Sequence, residues 1–386
     1  MGEPGHERRA TAHVALETTE PTSFGYGFVS GLLSAVLGIA GFGIVLSLRF
    51  PHYFGYGELR PLQSVEYLRA GIHLILVAAF LLGSISAFLR ANKTLALTGI
   101  GFTLAAALMG GSQVHIGNDP GGPSWLGVDF FVLNLLLYSA VFIPLERLFA
   151  LRAAQPVFRR QWLVDLTYFF VNSLLIEVLT IFTLAPALVL FDWARVEALR
   201  NTVGSLPLIL QVPALILVAD FTQYWVHRSF HATRILWPFH AIHHSIEQMD
   251  WLAGSRLHLV DVILTRGLTY VPIFVVGFSE QALLVYVFLV AAQATFIHAN
   301  VRWQFRAIER VVVTPAFHHW HHGAEPEAVD KNFAVHTPIF DLLFGTYYLP
   351  NRWPASYGLA HRRDVPPRWV SQLLYPFRRL RENRPS

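Results

Sequence analysis

Eight apolar stretches recur along the chain, near residues 26–48, 68–89, 94–112, 126–146, 163–191, 207–226, 259–278 and 280–298. Each is close to the roughly 20 residues that an α-helix needs to cross the hydrocarbon layer of a bilayer. In lipid, every backbone N–H and C=O has to be paired within the protein, and continuous runs of this length can meet that condition only as helices. Charged residues make up 14% of the sequence and apolar residues 54%, whereas soluble domains carry about 25% charge. An all-α, polytopic integral membrane protein is therefore expected.

The runs divide the chain. Residues 1–24 are polar and read as a disordered tail, and the first apolar run fits a span better than the shorter core of a signal peptide. Residues 25–155 read as a group of N-terminal spans. The polar, proline-containing stretch Leu151 to Arg160 precedes a second region, 156–350, and residues 351–386, rich in Arg and Pro, read as a surface tail. The run 163–191 is too long for one upright span and is expected to tilt, to break at Pro186 or to form a re-entrant pair. Gly277-Phe-Ser-Glu280 reads as a tight turn between the last two runs.

Charge bias orients such helices, because loops rich in Lys and Arg stay in the cytoplasm. With a cytoplasmic N-terminus, eleven basic residues up to Arg256 flank the inner side and five flank the outer side. That topology brings the chain to the cytoplasmic side at His227 and returns it there at His298. The net charge of +4 comes from arginine, since Lys93 and Lys331 are the only lysines. No basic cluster with interleaved aromatics points to nucleic acid. The absence of cysteine excludes disulfides and thiolate metal sites.

Eleven of the eighteen histidines fall between His227 and His322. His227 and His231 are four apart. His240, His243 and His244, then His318, His321 and His322, repeat a spacing of three and four, which gathers side chains on one helix face. Each triplet reads as a three-nitrogen claw. Neutral imidazole is the commonest metal ligand, and these eight nitrogens exceed what one ion normally accepts, so two metal ions are expected. Asp220 lies two turns before His227. A carboxylate inside a span is costly and usually functional, and Asp220 is expected to accept the N–H of a ligating imidazole. Asp261 and Asp341 are further candidates for that task. His336, which has no partner at helical spacing, reads as a surface residue.

The text around these histidines resembles the membrane-bound fatty acid hydroxylase/sterol desaturase superfamily. Asp220-Phe-Thr-Gln-Tyr-Trp-Val-His-Arg-Ser-Phe-His231 is similar to its first histidine box, and Leu236-Trp-Pro-Phe-His-Ala-Ile-His-His-Ser245 to its second. Arg256-Leu-His258 and Phe296-Ile-His-Ala-Asn300 resemble the links between boxes. Asn332-Phe333 and Phe340 to Tyr347 resemble the segment after the third box. The resemblance covers roughly residues 160 to 350. It implies a cytoplasmic, histidine-lined helical cap holding two iron ions (Fe2+/Fe3+) without haem, with O2 as co-substrate. It adds His258 and His298 to the ligands. His319, on another face of its helix, is either a further ligand or a donor to a carboxylate.

The implied reaction is hydroxylation or desaturation of a C–H bond in a membrane lipid: a fatty acyl chain, a sterol or a related isoprenoid. Two other readings stay open. One is an ether-lipid monooxygenase with the same ligands; the other is a non-redox zinc-binding or transport protein of the membrane. Transport predicts polar ligands within the spans, whereas the boxes sit at their ends. O2 chemistry needs two electrons per turnover. No Gly-x-Gly-x-x-Gly fingerprint is apparent, so a separate donor is expected, a ferredoxin or a small cytochrome with its reductase.

Overall fold

The computed structural model describes residues 25–51, 66–115, 128–174, 189–359 and 365–382. Among these the chain is helical, with two isolated bridges, Ala150 to Val301 and Gly323 to Tyr357, as its extended pairings. Five helices are long and apolar enough to cross a membrane, and a shorter apolar one follows them. The stretch expected to tilt or break at Pro186 is seen as a helix to Leu174, and Pro186 itself lies outside the described residues. So does the tail expected over 1–24.

The chain divides into two compact units, Met1–Leu148 and Phe149–Ser386. In the first, α1 (Phe28–Arg49) packs on α2 (Glu66–Leu89) and α3 (Thr94–Leu108), and α4 (Val128–Leu148) completes the unit. Small residues let these backbones approach, as is usual where lipid removes the hydrophobic drive between helices. A Cβ on Gly38 would sit 2.5 Å from the Gly99 carbonyl oxygen. The Ser34 hydroxyl donates across to Ala79 O at 2.6 Å.

The second unit begins with α5 (Trp162–Leu174) and α6 (Glu197–Gly204). Its frame is three apolar helices: α7 (Leu208–Ala232), α9 (Leu259–Val276) and α10 (Glu280–Phe296). Leu215, Ala219, Ile273, Phe278, Ala282 and Tyr286 form the core between them. The turn from α9 to α10 is as tight as the sequence implies. Gly277 ends α9 at φ 81°, in the left-handed region that favours glycine, and the Ser279 hydroxyl caps α10 by accepting Ala282 N–H. The last turn of α7, the start of α9 and the end of α10 fall at one end of this frame.

Short elements fill that end: α8 (Trp237–His240), α11 (Pro315–His321) and α12 (Ile339–Phe344). Thr314 caps α11 through its hydroxyl, and Pro315 occupies the first position, where a missing N–H costs nothing. The C-terminal stretch is more than a surface tail. It carries α13 (Trp369–Glu382), which buries Gln372, Tyr375 and Pro376 against the body of the unit. Tyr375 joins Tyr168, Ala241 and Ile242 in an apolar cluster that sequence distance conceals.

Candidate metal centre

Nine of the eleven candidate histidines come together in two groups. His227, His231, His240, His244 and His321 form one, and His243, His298, His318 and His322 the other; within each, the candidate ligand atoms lie within 4.8 Å of one another. The groups adjoin, with the His244 ring stacked on His322 at 4.7 Å between centroids.

The claws expected from spacing are divided between the groups. His240 and His244 go to the first group and His243 to the second, while His318 and His322 go to the second and His321 to the first. The reason is local. Helix α8 stops at His240, and His243 to Ser245 form a separate 3-10 turn, so the second box does not hold one helix face. At the C-terminal end of α11, His321 and the capping His322 are consecutive, both with helical backbone, and project about 100° apart, which suits two centres better than one.

Hydrogen bonds at Nδ1 fix the rings. Carbonyl and carboxylate oxygens only accept, so a ring nitrogen bonded to one carries the proton. His227 donates from Nδ1 to Phe333 O at 2.7 Å, His321 to Lys331 O at 2.8 Å, His298 to Ala294 O at 2.7 Å and His243 to Arg256 O at 3.2 Å. His240 donates to Asp261 Oδ2 at 2.7 Å and His231 to Asp330 Oδ1 at 3.2 Å. Each of these six rings therefore turns a bare Nε2 inward.

Those bare nitrogens meet. Nε2 of His227 lies 3.0 Å from Nε2 of His240, and Nε2 of His243 lies 3.4 Å from Nε2 of His298. In both pairs each atom is an acceptor with no proton to share, so the contact is repulsive until a cation stands between them. Nε2 of His231, His244 and His321 is buried with no hydrogen-bond partner. Burial, reinforced by the neighbouring rings, holds His243, His244, His318, His321 and His322 well below the usual imidazole range. Burial takes His298 down to about 4. They are neutral at physiological pH, as metal ligation requires. The donor set fits two cations bound by nitrogen.

Two candidates lie in neither group. His258 caps α9 with Nδ1 accepting Val260 N–H at 3.1 Å, which leaves its Nε2–H to donate to Leu373 O at 3.1 Å. His319 spends its nitrogens on Ala299 O at 3.1 Å and the Tyr357 hydroxyl at 2.9 Å. The alternative donor role foreseen for His319 is close to this, but its partners are a carbonyl and a phenol rather than a carboxylate.

Asp220 also departs from expectation. Among the described residues, no imidazole nitrogen hydrogen-bonds to it. Its carboxylate accepts the backbone N–H groups of Val335, His336 and Thr337 at 2.8–3.0 Å. Asp341 does the same for Phe333 and Ala334, both at 2.8 Å. Between them the two carboxylates hold the loop whose Phe333 and Lys331 carbonyls orient His227 and His321. Asn332, at φ 60°, tightens this loop and bonds to Phe317 O and Tyr348 O; asparagine tolerates that conformation better than most residues. His336 is buried rather than on the surface, because the loop is drawn inward over Tyr286, and its Nδ1 meets Gln293 Oε1 at 3.1 Å.

A buried ionic cluster supports the second group. Arg159 bridges Asp165 and Asp250 at 2.7 Å each, and Arg256 binds Asp165 and Gln161. This fixes the Arg256 backbone, whose carbonyl holds His243. In the sequence, Arg256 stands out only through the Arg-Leu-His text; nothing there signals Asp165 or Asp250.

The fold and site define a helical membrane protein with two adjoining imidazole cages at one end of its spans. Residues 212–346 match the sequence model of the fatty acid hydroxylase family. Across these residues the chain is similar to the fatty acid hydroxylase/sterol desaturase superfamily. An ornithine lipid hydroxylase of Rhizobium tropici is 29% identical over 45% of this chain and 52% of its own length. Human alkylglycerol monooxygenase is 32% identical over 37% of this chain and 31% of its own. A Delta(7)-sterol 5(6)-desaturase of Gibberella zeae is 26% identical over 37% of this chain and 39% of its own. The chain thus spans about half or less of the length of these curated relatives. No solved structure matches it.

Proposed function

We propose that the chain is an O2-dependent oxidoreductase that binds two iron ions, one in each imidazole group, and hydroxylates or desaturates a C–H bond of a membrane lipid. The observation that carries this reading is the pair of facing, unprotonated Nε2 contacts, which call for a cation in each group. When bound, iron supplies activation of O2 and removal of hydrogen from an unactivated C–H bond.

The chain's own residues provide the setting. Neutral ligands leave the cations with their charge and with positions for exchange. Backbone carbonyls and Asp261 hold the rings in one orientation. The cages sit where α7 and α10 end and α9 begins, at the depth where a lipid chain could reach them from the bilayer. The names of the relatives support a lipid substrate, and similarity to alkylglycerol monooxygenase favours an ether lipid as the second reading. Electrons would come from a ferredoxin or a small cytochrome with its reductase, meeting an arginine-rich cytoplasmic face.

The test is metal content and product together. Iron-loaded protein should hold two metals per chain and place an atom of isotopically labelled O2 in a hydroxylated lipid, or form an alkene with O2 consumed. Imidazole sites bind zinc more tightly than Fe(II), so iron has to be supplied deliberately. One tightly bound metal with every box intact would overturn the two-ion reading. Turnover of the purified chain with NADPH and O2 alone would overturn the separate donor. A reporter fused after Ser386 should read cytoplasmic, and a reading on the opposite side would overturn the orientation.

A further inference from the structure

The C-terminal helix α13 carries an apolar face that its own unit covers only in part. Val370, Leu374 and Phe377, spaced four and three apart, share that face and are 60%, 44% and 49% exposed. Arg378 and Arg381 are exposed beside them. The last turn is basic; its one acidic residue, Glu382, is held by Arg379 at 2.9 Å. The opposite face is anchored, with Gln372, Tyr375 and Pro376 buried.

The height of this helix relative to the bilayer follows from what it touches. Leu373 O accepts the His258 Nε2–H at 3.1 Å, and the Phe377 ring lies 6.1 Å from the His258 ring. His258 is the residue that opens α9, a helix long and apolar enough to span the membrane. Its eighteen residues rise about 27 Å, nearly the full hydrocarbon thickness. The first turn of α9 therefore stands at the edge of the hydrocarbon, and α13 lies beside that edge. A face of Val, Leu and Phe flanked by arginine, at that depth, has the chemistry of a helix lying in the bilayer interface.

We infer that α13 docks on an anionic bilayer surface, with Val370, Leu374 and Phe377 in the acyl boundary and Arg378 and Arg381 among acidic headgroups. Docking is linked to the imidazole cages through two aromatic side chains. Phe377 packs on Phe239 at 5.5 Å, and Phe239 immediately precedes His240. The membrane surface thereby braces the second histidine box from outside.

The chain contains no cysteine, so a single introduced thiol labels cleanly. Leu374→Cys and, independently, Val370→Cys would carry an environment-sensitive fluorophore in the full-length protein. Glu327→Cys, in an exposed 3-10 turn, serves as the aqueous control. The proteins are placed in nanodiscs of phosphatidylcholine alone or with phosphatidylglycerol. Both reporters on α13 should shift to the blue and be quenched by lipids brominated in the acyl chain, more so with phosphatidylglycerol, while Glu327→Cys stays open to aqueous iodide. Adding Arg378→Ser and Arg381→Ser should lower the docked-to-undocked ratio in phosphatidylglycerol about fivefold per arginine. Emission that is the same in both lipids and open to iodide like the control overturns the inference. So does a shift that depends on the number of chains per disc, which would assign the face to a second copy.

Discussion

Replacing Asp261 with Asn isolates one support of one imidazole group. Asp261 Oδ2 accepts from His240 Nδ1 at 2.7 Å, and Oδ1 accepts from the Thr265 hydroxyl at 3.1 Å. The pair is 4% and 6% exposed, so solvent hardly screens it. Asparagine keeps the shape and one acceptor oxygen for the imidazole but removes the charge. Hydrogen bonds to charged groups contribute about 1.5–3 kcal/mol and neutral ones about 0.5–1.5. The difference, about 1–1.5 kcal/mol, corresponds to about a tenfold weaker hold on the metal that His240 ligates. The second group has no part in this bond and should keep its affinity. Competition with a chromophoric chelator resolves two release steps, and His321→Ala and His243→Ala mark which step belongs to which group. Equal weakening of both groups, or of the His243 group alone, would refute the division of the histidines described here.

His243→Ala and His321→Ala should each remove one metal from a different group and abolish product, as metal counting and product analysis on the same preparation would reveal. Asp220→Ala leaves three buried backbone N–H groups without an acceptor; at about 1–3 kcal/mol each, destabilisation of at least about 3 kcal/mol should appear in thermal denaturation, with Asp220→Asn milder. His336 has its pKa lowered to about 4 by burial, so it stays neutral in the fold where the unfolded chain, at about 6.5, takes up a proton. Its share of stability is full above pH 6.5 and falls as pH drops to 4, by roughly 3 kcal/mol; a stability-against-pH comparison with His336→Gln should show the variant losing less over that window.

Five of the eight expected spans and the histidine boxes were legible because both are patterns in local spacing. Runs of about 20 apolar residues and histidines three or four apart describe helix length and helix faces without reference to the rest of the molecule. The division of each triplet between two groups was not legible, because it depends on where α8 ends and on a 3-10 turn at His243, and a helical wheel assumes neither. Asp220 stands out in the sequence as a costly carboxylate, but its partners are backbone N–H groups 115 or more residues away rather than an imidazole. His258 looks like a ligand in the sequence and is a helix cap in the structure. His336 looks isolated because its partners, Gln293 and Tyr286, come from α10. In each case the missing information is long-range pairing, which no local period carries.

The backbone carbonyls that orient the rings have a bearing on genetics. At Ala294, Lys331 and Phe333 the group that reads the imidazole is the peptide oxygen. A substitution there changes the side chain and leaves the acceptor in place. Alanine scanning would therefore pass over Lys331 as inert and does not test Ala294 at all, although the carbonyl oxygens they contribute decide which nitrogen faces the cage. At Lys331 and Ala294 the demand falls on the path of the main chain, whereas Phe333 is also held by its side chain, buried against the His227, His231 and His321 rings. The constraint becomes visible one step removed, at Asp220, Asp341 and Asn332, whose side chains set that path.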